Sequence, residues 1–324
     1  MNTTQAQLGA VLAAGGPELS RLLERTEARL AEVAAAGGPG LAPHATGTLF
    51  AGGKRIRPIL VFLCADGDAG ERLVAAASAV ELLHMASLVH DDVLDGAVLR
   101  RGRPTVFANG GRLAATATGD LLFSRAFAEL VAGGSVEAVR ALSAASSVLA
   151  RGELMQRADA WSPDVTPERY LERCRLKTAS LFEAACRLGA LLGGRLGLAA
   201  PLGCFGERVG LAFQMLDDVL DVAGPSERTG KPRGADLLDG TVTLPLILAR
   251  GRDEGLRSVD PSLDAAQAAA ICDRIAATGA LDEAREQALA RVAEAKRSLG
   301  EMQLPEDRRR ALELVADGVV ARYA

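Results

Sequence analysis

Asp91, Asp92 and Asp95 crowd into the segment HDDVLD at 90–95, and an arginine pair, Arg100 and Arg101, follows shortly after. Read as a helix, the segment puts Asp91 and Asp95 on one face, because residues four apart are neighbours along a helix. Carboxylates this close repel one another unless a cation sits among them, and hard oxygen ligands with room for water suit Mg²⁺. The flanks, SLV at 87–89 and VL at 93–94, are apolar like a core helix. A charge on such a helix needs a partner or a metal. The pattern returns in FQMLDDVLD at 213–221, where Gln214, Asp217, Asp218 and Asp221 keep the i, i+3, i+4, i+7 spacing of one helix face. Two such stripes on facing helices would enclose one acidic cavity, able to hold several Mg²⁺ ions and, through them, a diphosphate.

The elements that must position these residues are helical. Hydrophobic residues make up 49% of the 324, led by Ala and Leu, and aromatics only 3%, so strand formers are scarce. The helix carrying the first cluster runs over about 71–97 and keeps His84, Asp91 and Asp95 on one face. Further helices are expected over 17–36, 113–132, 136–161, 167–193, 207–223, 244–250, 265–277, 281–300 and 307–322, punctuated by the 35 Gly and 13 Pro. GGPG at 37–40 ends the first of these, and the basic turn GGKRIRP at 52–58 opens an apolar helix reaching about 65. A Gly- and Pro-rich loop between 223 and 244 carries further basic residues, Lys231 among them. Asp159, Trp161 and the run ERYLERCRLK read as structural. Residues 1–16 read as a flexible or partly helical arm. No shift in composition marks a boundary beyond them, so 17–324 is expected to form one domain.

Composition also excludes several classes. With 37 basic and 41 acidic residues the net charge is −4, which offers no electrostatic attraction to nucleic acid or an anionic membrane. Five widely spaced cysteines without a CxxC pair argue against a disulfide framework or a zinc site. The start, MNTTQAQLGAVLAAGG, lacks the basic and apolar regions of a signal peptide. The most apolar run, 188–204, is broken by Arg195 and several glycines, short of the ~20 apolar residues of a membrane span. The expectation is a soluble, cytoplasmic protein with no integral membrane association.

Seven motifs in order, GGKRIRP at 52–58, DDVLD at 91–95, RRGRPT at 100–105, GD at 119–120, KT at 177–178, FQMLDD at 213–218 and GKPRGADL at 230–237, give the chain a resemblance to the trans-isoprenyl diphosphate synthases, the polyprenyl synthetase family. Singly, GGKRIRP is equally a surface turn and His84 a core histidine; their joint order is specific. The resemblance covers 52 to the C-terminus. It implies an all-α, single-domain bundle round a deep central cavity, with the two aspartate motifs facing each other at its mouth. It also implies a reaction, the head-to-tail (1'-4) condensation of isopentenyl diphosphate with an allylic diphosphate, in a homodimer with three Mg²⁺ per active site. Asp91, Asp95, Asp217, Asp218 and Lys177 would then be catalytic, with the metal on Asp91, Asp95, Asp217 and Asp221. The allylic diphosphate would meet Arg100, Lys177, Thr178, Gln214 and Lys231. Isopentenyl diphosphate, which must not ionise, would be gripped by Lys54, Arg57, His84 and Arg101.

The chain departs from the family pattern in places. Thr241 follows Gly240 where many relatives have lysine, which removes one cation from the allylic site, and Phe107 stands where His or Asn is frequent. Rival readings are a terpene cyclase, which usually lacks the GGKRIRP site, and a non-catalytic partner subunit, which tends to lose aspartates; here both sets are complete. Product length is expected to follow how deep the growing chain can run. One turn below Asp91 stand Ala86 and Ser87, both small, and below them Leu83, Val80 and Ala79, with Leu122, Phe123 or Phe127 facing. Products from hexaprenyl to octaprenyl are expected, with geranylgeranyl diphosphate as the alternative.

Overall fold

The chain is built round the apolar helix that carries the first acidic cluster. This is α4, Gly70–Leu94, whose side chains from Leu73 to Met85 are buried almost without interruption. The structure is a computed structural model that describes residues 3–67, 70–100, 102–224 and 233–321. Around α4 pack α1 (Thr3–Ala35), α3 (Ile56–Cys64), α5 (Val106–Ala132) and α8 (Ser180–Leu192). In turn α8 packs on α9 (Ala199–Ala223), which bears the second acidic motif, and on α6 (Val136–Ala158). Behind α9 lies α13 (Ala280–Gly300), and α14 (Glu306–Ala321) returns to α1. One connected cluster of buried apolar residues runs from Val11 to Val319. The fold is all-α, as the composition implies. The only sheet among the described residues is a two-stranded ribbon, with Leu99 opposite Pro104 and Arg100 opposite Arg103.

Several elements differ from those read off the sequence. Residues 3–15 are helical, and the chain leaves helical geometry at Gly16 (φ 78°) before continuing to Ala35. α2, Gly38–Phe50, was hidden by GGPG, which ends one helix and starts the next; Pro39 suits a first turn, where its missing N–H costs nothing. α9 begins at Ala199, ahead of the expected 207, because its glycines are packing contacts. A Cβ on Gly206 would come within 2.6 Å of Phe182 O, and one on Gly210 within 2.7 Å of Ala179 Cα. The helix expected over 136–161 stops at Ala158. Contrary to the expectation drawn from 188–204, residues 70–94 and 196–223 are long and apolar enough by length and composition to cross a membrane. Of their most apolar windows, 72% and 50% are buried inside the protein. A helix surrounded by other helices is apolar all round for that reason.

Candidate active site

Successive turns of α4 present His84, Ser87, Leu88 and Asp91 to a cavity of about 530 Å³, and Asp95, just past the end of the helix, joins them. Phe213, Gln214, Asp217 and Asp218 of α9 line it from another side, so the two acidic motifs do share one space. Between these banks comes the chain segment that joins α7 (Pro167–Cys174) to α8. Expected as one continuous helix, it contains a π-helical stretch, Arg175–Ala179, holding Lys177 and Thr178. Such a bulge changes the direction of the side chains it carries and is common at functional sites. α6 reaches this stretch at Gly152, where a Cβ would lie 2.5 Å from Lys177 N. That approach lets the next residue, Glu153, form an ion pair of 2.5 Å with Lys177 Nζ.

A buried hydrogen-bond chain organises the second bank. Thr178 Oγ1 donates to Gln214 Oε1, Gln214 Nε2 donates to Asp218 Oδ1, and Tyr170 OH donates to Asp218 Oδ2, each at 2.7 Å. Burial pushes the Asp218 carboxyl up to about 8; Asp236 and Asp217 add to the rise, and the two donors oppose it. On the first bank burial pushes Asp91 up to about 7, opposed by Lys177 and reinforced by Glu153 and Asp95. Burial by itself would lower the Lys177 ammonium, yet Asp91, Glu153 and Asp95 outweigh it and the net shift is upward. Each bank therefore carries a buried carboxyl that holds its charge at a cost.

The remaining cations are divided among the elements. Arg100, set by the ribbon, donates from Nε to Asp92 Oδ1 at 2.8 Å and lines the cavity. Arg57 also lines it, with its guanidinium 4.6 Å from the Phe182 ring centroid, a cation–π contact. Lys54 lies half-buried in the turn before α3, outside the lining. Arg55 anchors that turn: it has a left-handed backbone (φ 50°) and bonds Glu27 of α1 and Glu81 of α4, the latter at 2.7 Å. Arg101 and Lys231 lie outside the described residues. Asp221 turns its carboxylate to the N–H groups of Ala235 (3.1 Å) and Asp236 (3.2 Å), so it caps the short helix α10, Ala235–Leu238, and is not part of the cavity lining. Ser87 is in the cavity wall, whereas Ala86 (0% exposed) and Leu83 (2%) belong to the packed core.

The structure adds residues that the sequence reading passed over. Tyr170 and Arg173 come from the run read as structural; their three-residue spacing puts both on the side of α7 that faces the site. Arg173 lines the cavity and donates to Val242 O at 2.5 Å. Glu153 and Gln156 line it from α6, and Asp236, Asp239 and Thr241 from the loop after α9. That loop is pinned where the Trp161 N–H donates to Gly240 O at 2.9 Å. The three-residue steps from Glu153 to Gln156 and from Tyr170 to Arg173 are the signals available on the helices, whereas Asp236 and Thr241 enter the sequence reading only through the family pattern.

Among the described residues, no three Asp, Glu, His or Cys side chains converge closely enough to hold an ion alone. The donor set nevertheless suits a hard divalent cation. Mg²⁺ keeps several waters and is usually held by one or two carboxylates together with substrate phosphates. Asp91 and Asp95 on one bank and Asp217 on the other line the same cavity and fit a metal that arrives with a diphosphate.

The family model for polyprenyl synthetase matches residues 41–269. The chain belongs to the polyprenyl synthetase family. It is 43% identical to heptaprenyl diphosphate synthase component 2 of Geobacillus stearothermophilus, over 75% of this chain and 78% of that protein. To the short chain isoprenyl diphosphate synthase of Methanothermobacter thermautotrophicus it is 38% identical, over 84% and 87%. The polyprenyl synthase of Caulobacter crescentus CB15, solved with calcium and isoprenyl diphosphate, superposes with a TM-score of 0.86 at 35% identity, covering 94% of this chain and 97% of that one. As a polyprenyl synthetase the chain is a prenyltransferase.

Proposed function

We propose that this polyprenyl synthetase condenses isopentenyl diphosphate head to tail with an allylic diphosphate, in the presence of Mg²⁺, to give an all-trans polyprenyl diphosphate of hexaprenyl to octaprenyl length. The observation that carries the reading is that one cavity is lined by carboxylates of both acidic helices together with Arg57, His84, Arg100 and Lys177. Two diphosphates have two kinds of partner there. The allylic one lies toward Asp91, Asp95, Asp217 and Lys177, and the isopentenyl one toward Arg57 and His84, with Lys54 and Arg101 supplying further charge.

Bound at Asp91, Asp95 and Asp217, Mg²⁺ would offset the negative charge that grows on the departing diphosphate. Lys177, fixed by Glu153, places its ammonium beside the same oxygens. Thr178 and Gln214 orient Asp218 and complete the polar edge of the site. When the allylic C–O bond breaks, the carbocation faces Leu88, Leu149, Leu181 and Phe213, which keep water from it. The isopentenyl double bond attacks the cation and a proton leaves the new chain. The released diphosphate is the base nearest to that proton.

Relatives named for heptaprenyl and for short-chain products leave two lengths in play. The small side chain of Ser87 at the cavity wall supports the longer products. The close packing of Leu83, Val80 and Ala79 below it favours a second reading, geranylgeranyl length. The test is to incubate purified protein with labelled isopentenyl diphosphate, Mg²⁺ and dimethylallyl, geranyl or farnesyl diphosphate, and to size the products by chromatography. Chains of six to eight isoprene units bear out the first reading and four units the second; absence of any elongated product overturns both.

A further inference from the structure

We propose that Arg157 is a binding residue for the allylic diphosphate, held ready across the cavity mouth by one carboxylate from each acidic bank; the inference rests on the prenyl-transfer reading above. The second bank poses an electrostatic problem. Its described residues in 213–224 and 233–241 include five carboxylates, Asp217, Asp218, Asp221, Asp236 and Asp239, and one cation, Arg233. Arg233 is spent elsewhere, on Asp273 (2.7 Å) and Val222 O (2.5 Å). Lys231, expected at the allylic diphosphate, lies outside the described residues; among the described ones, positive charge for a diphosphate seated against this bank comes from other elements.

α6 supplies it. Glu153 and Gln156 line the cavity, and the adjacent Arg157, though not itself in the lining, pairs with three carboxylates that are. Its Nη2 bonds Asp95, at the end of the first acidic motif. Its Nη1 lies 3.4 Å from Asp239 Oδ1, in the loop after the second, and its Nε 3.6 Å from Glu153 Oε1. One guanidinium thus spans both banks where the leaving group would sit. The side chain is 31% exposed, so it has room to turn. A divalent cation that takes Asp95 removes one of its partners and frees a planar fork suited to two phosphate oxygens. Thr241 stands beside this charge: its Oγ1 is 3.4 Å from Gln156 Nε2 and donates to Asp239 Oδ2 at 3.0 Å. A lysine at 241 would deliver an ammonium to the same place from a different element.

The test compares the wild-type protein with Arg157→Gln, Arg157→Lys and the double variant Arg157→Gln/Thr241→Lys. Binding of an inert allylic thiolodiphosphate with Mg²⁺ is measured by calorimetry, beside KM for each substrate. Arg157→Gln should weaken analogue binding about tenfold and raise KM for the allylic diphosphate equally, with KM for isopentenyl diphosphate unchanged. Arg157→Lys should lose less, and Thr241→Lys should restore most of the loss. Unchanged binding in Arg157→Gln, equal weakening of both substrates, or no rescue by Thr241→Lys would each overturn the assignment while wild-type turnover keeps the parent reading intact. Failure of the wild-type protein to bind the analogue at all would instead overturn the prenyl-transfer reading, and this inference with it.

Discussion

Asp91 and Asp218 bring the same side chain to opposite banks of one cavity, and burial raises both above the ordinary carboxyl value of 3.8, to about 7 and about 8. A carboxyl whose folded pKa is raised binds more protons folded than unfolded between those values, so its contribution to stability falls as pH rises through the window from about 4 to 8. In protein stripped of divalent ions, Asp218→Asn should therefore melt higher than wild type at pH 8. The difference should shrink by pH 5, where the folded wild-type carboxyl is already protonated; a gap independent of pH would contradict the assignment. In the proposed reaction the carboxylates of both banks would act with metal and substrates present. Asp91→Ala or Asp217→Ala should reduce turnover by at least on the order of a hundredfold, as loss of a group that stabilises the charged transition state does. Steady-state assays at saturating Mg²⁺ decide this, and undiminished turnover in either variant would disprove the two-bank site.

At the scale of the element, two helices are held closer than side chains would permit. Gly152 of α6 abuts the π-helical stretch that carries Lys177, so Gly152→Ala must push that backbone away. A cost of roughly 1–3 kcal/mol is typical of such overpacking. Denaturant midpoints should fall accordingly, and kcat should fall with them as Lys177 leaves its place; a variant of wild-type stability and activity would show the contact to be unimportant. α4 makes a second case, because Ala86 and Ser87 are neighbours with different surroundings. Ser87→Phe projects a ring into the cavity and should shorten the products, whereas Ala86→Phe forces a ring into a site that is 0% exposed and should mainly destabilise the protein. Product sizing with thermal melting separates the two effects. Shortening by Ala86→Phe without loss of stability would mean that the growing chain passes on that side of α4.

Over the whole molecule, several large apolar side chains remain exposed, some of them on α5 and α6. Leu113 (84% exposed) and Val131 (63%) stand five turns apart on α5, and Val136 (59%) and Leu154 (71%) five turns apart on α6, so each pair lies on one side of its helix. Large apolar side chains this exposed are candidates for burial against a second subunit. Sedimentation at micromolar concentration should give a homodimer, and Leu113→Asp with Val131→Asp should shift it toward monomer. A wild-type monomer would exclude self-association.

The order of the polar motifs and the helical bias of the composition sufficed, by themselves, for the all-α class, for the two acidic stripes and for the family. Their legibility has a simple cause: carboxylates at helical spacing in apolar sequence are rare unless a buried site requires them. Side chains whose role depends on a neighbour far along the chain gave no such signal. Tyr170 matters because α7 sets its hydroxyl on Asp218, forty-eight residues away, and Arg157 because it meets Asp95 and Asp239 from two other elements. Glycine misled where it signified contact, hiding the start of α9, and a π-helical stretch cannot be told from an ordinary helix by periodicity over five residues. Asp221 shows the converse. Its spacing matches that of Asp217 and Asp218, yet the fold turns its carboxylate to the N–H groups of Ala235 and Asp236. Spacing along a helix chooses a face; only the packing of that helix among the others decides what the face meets.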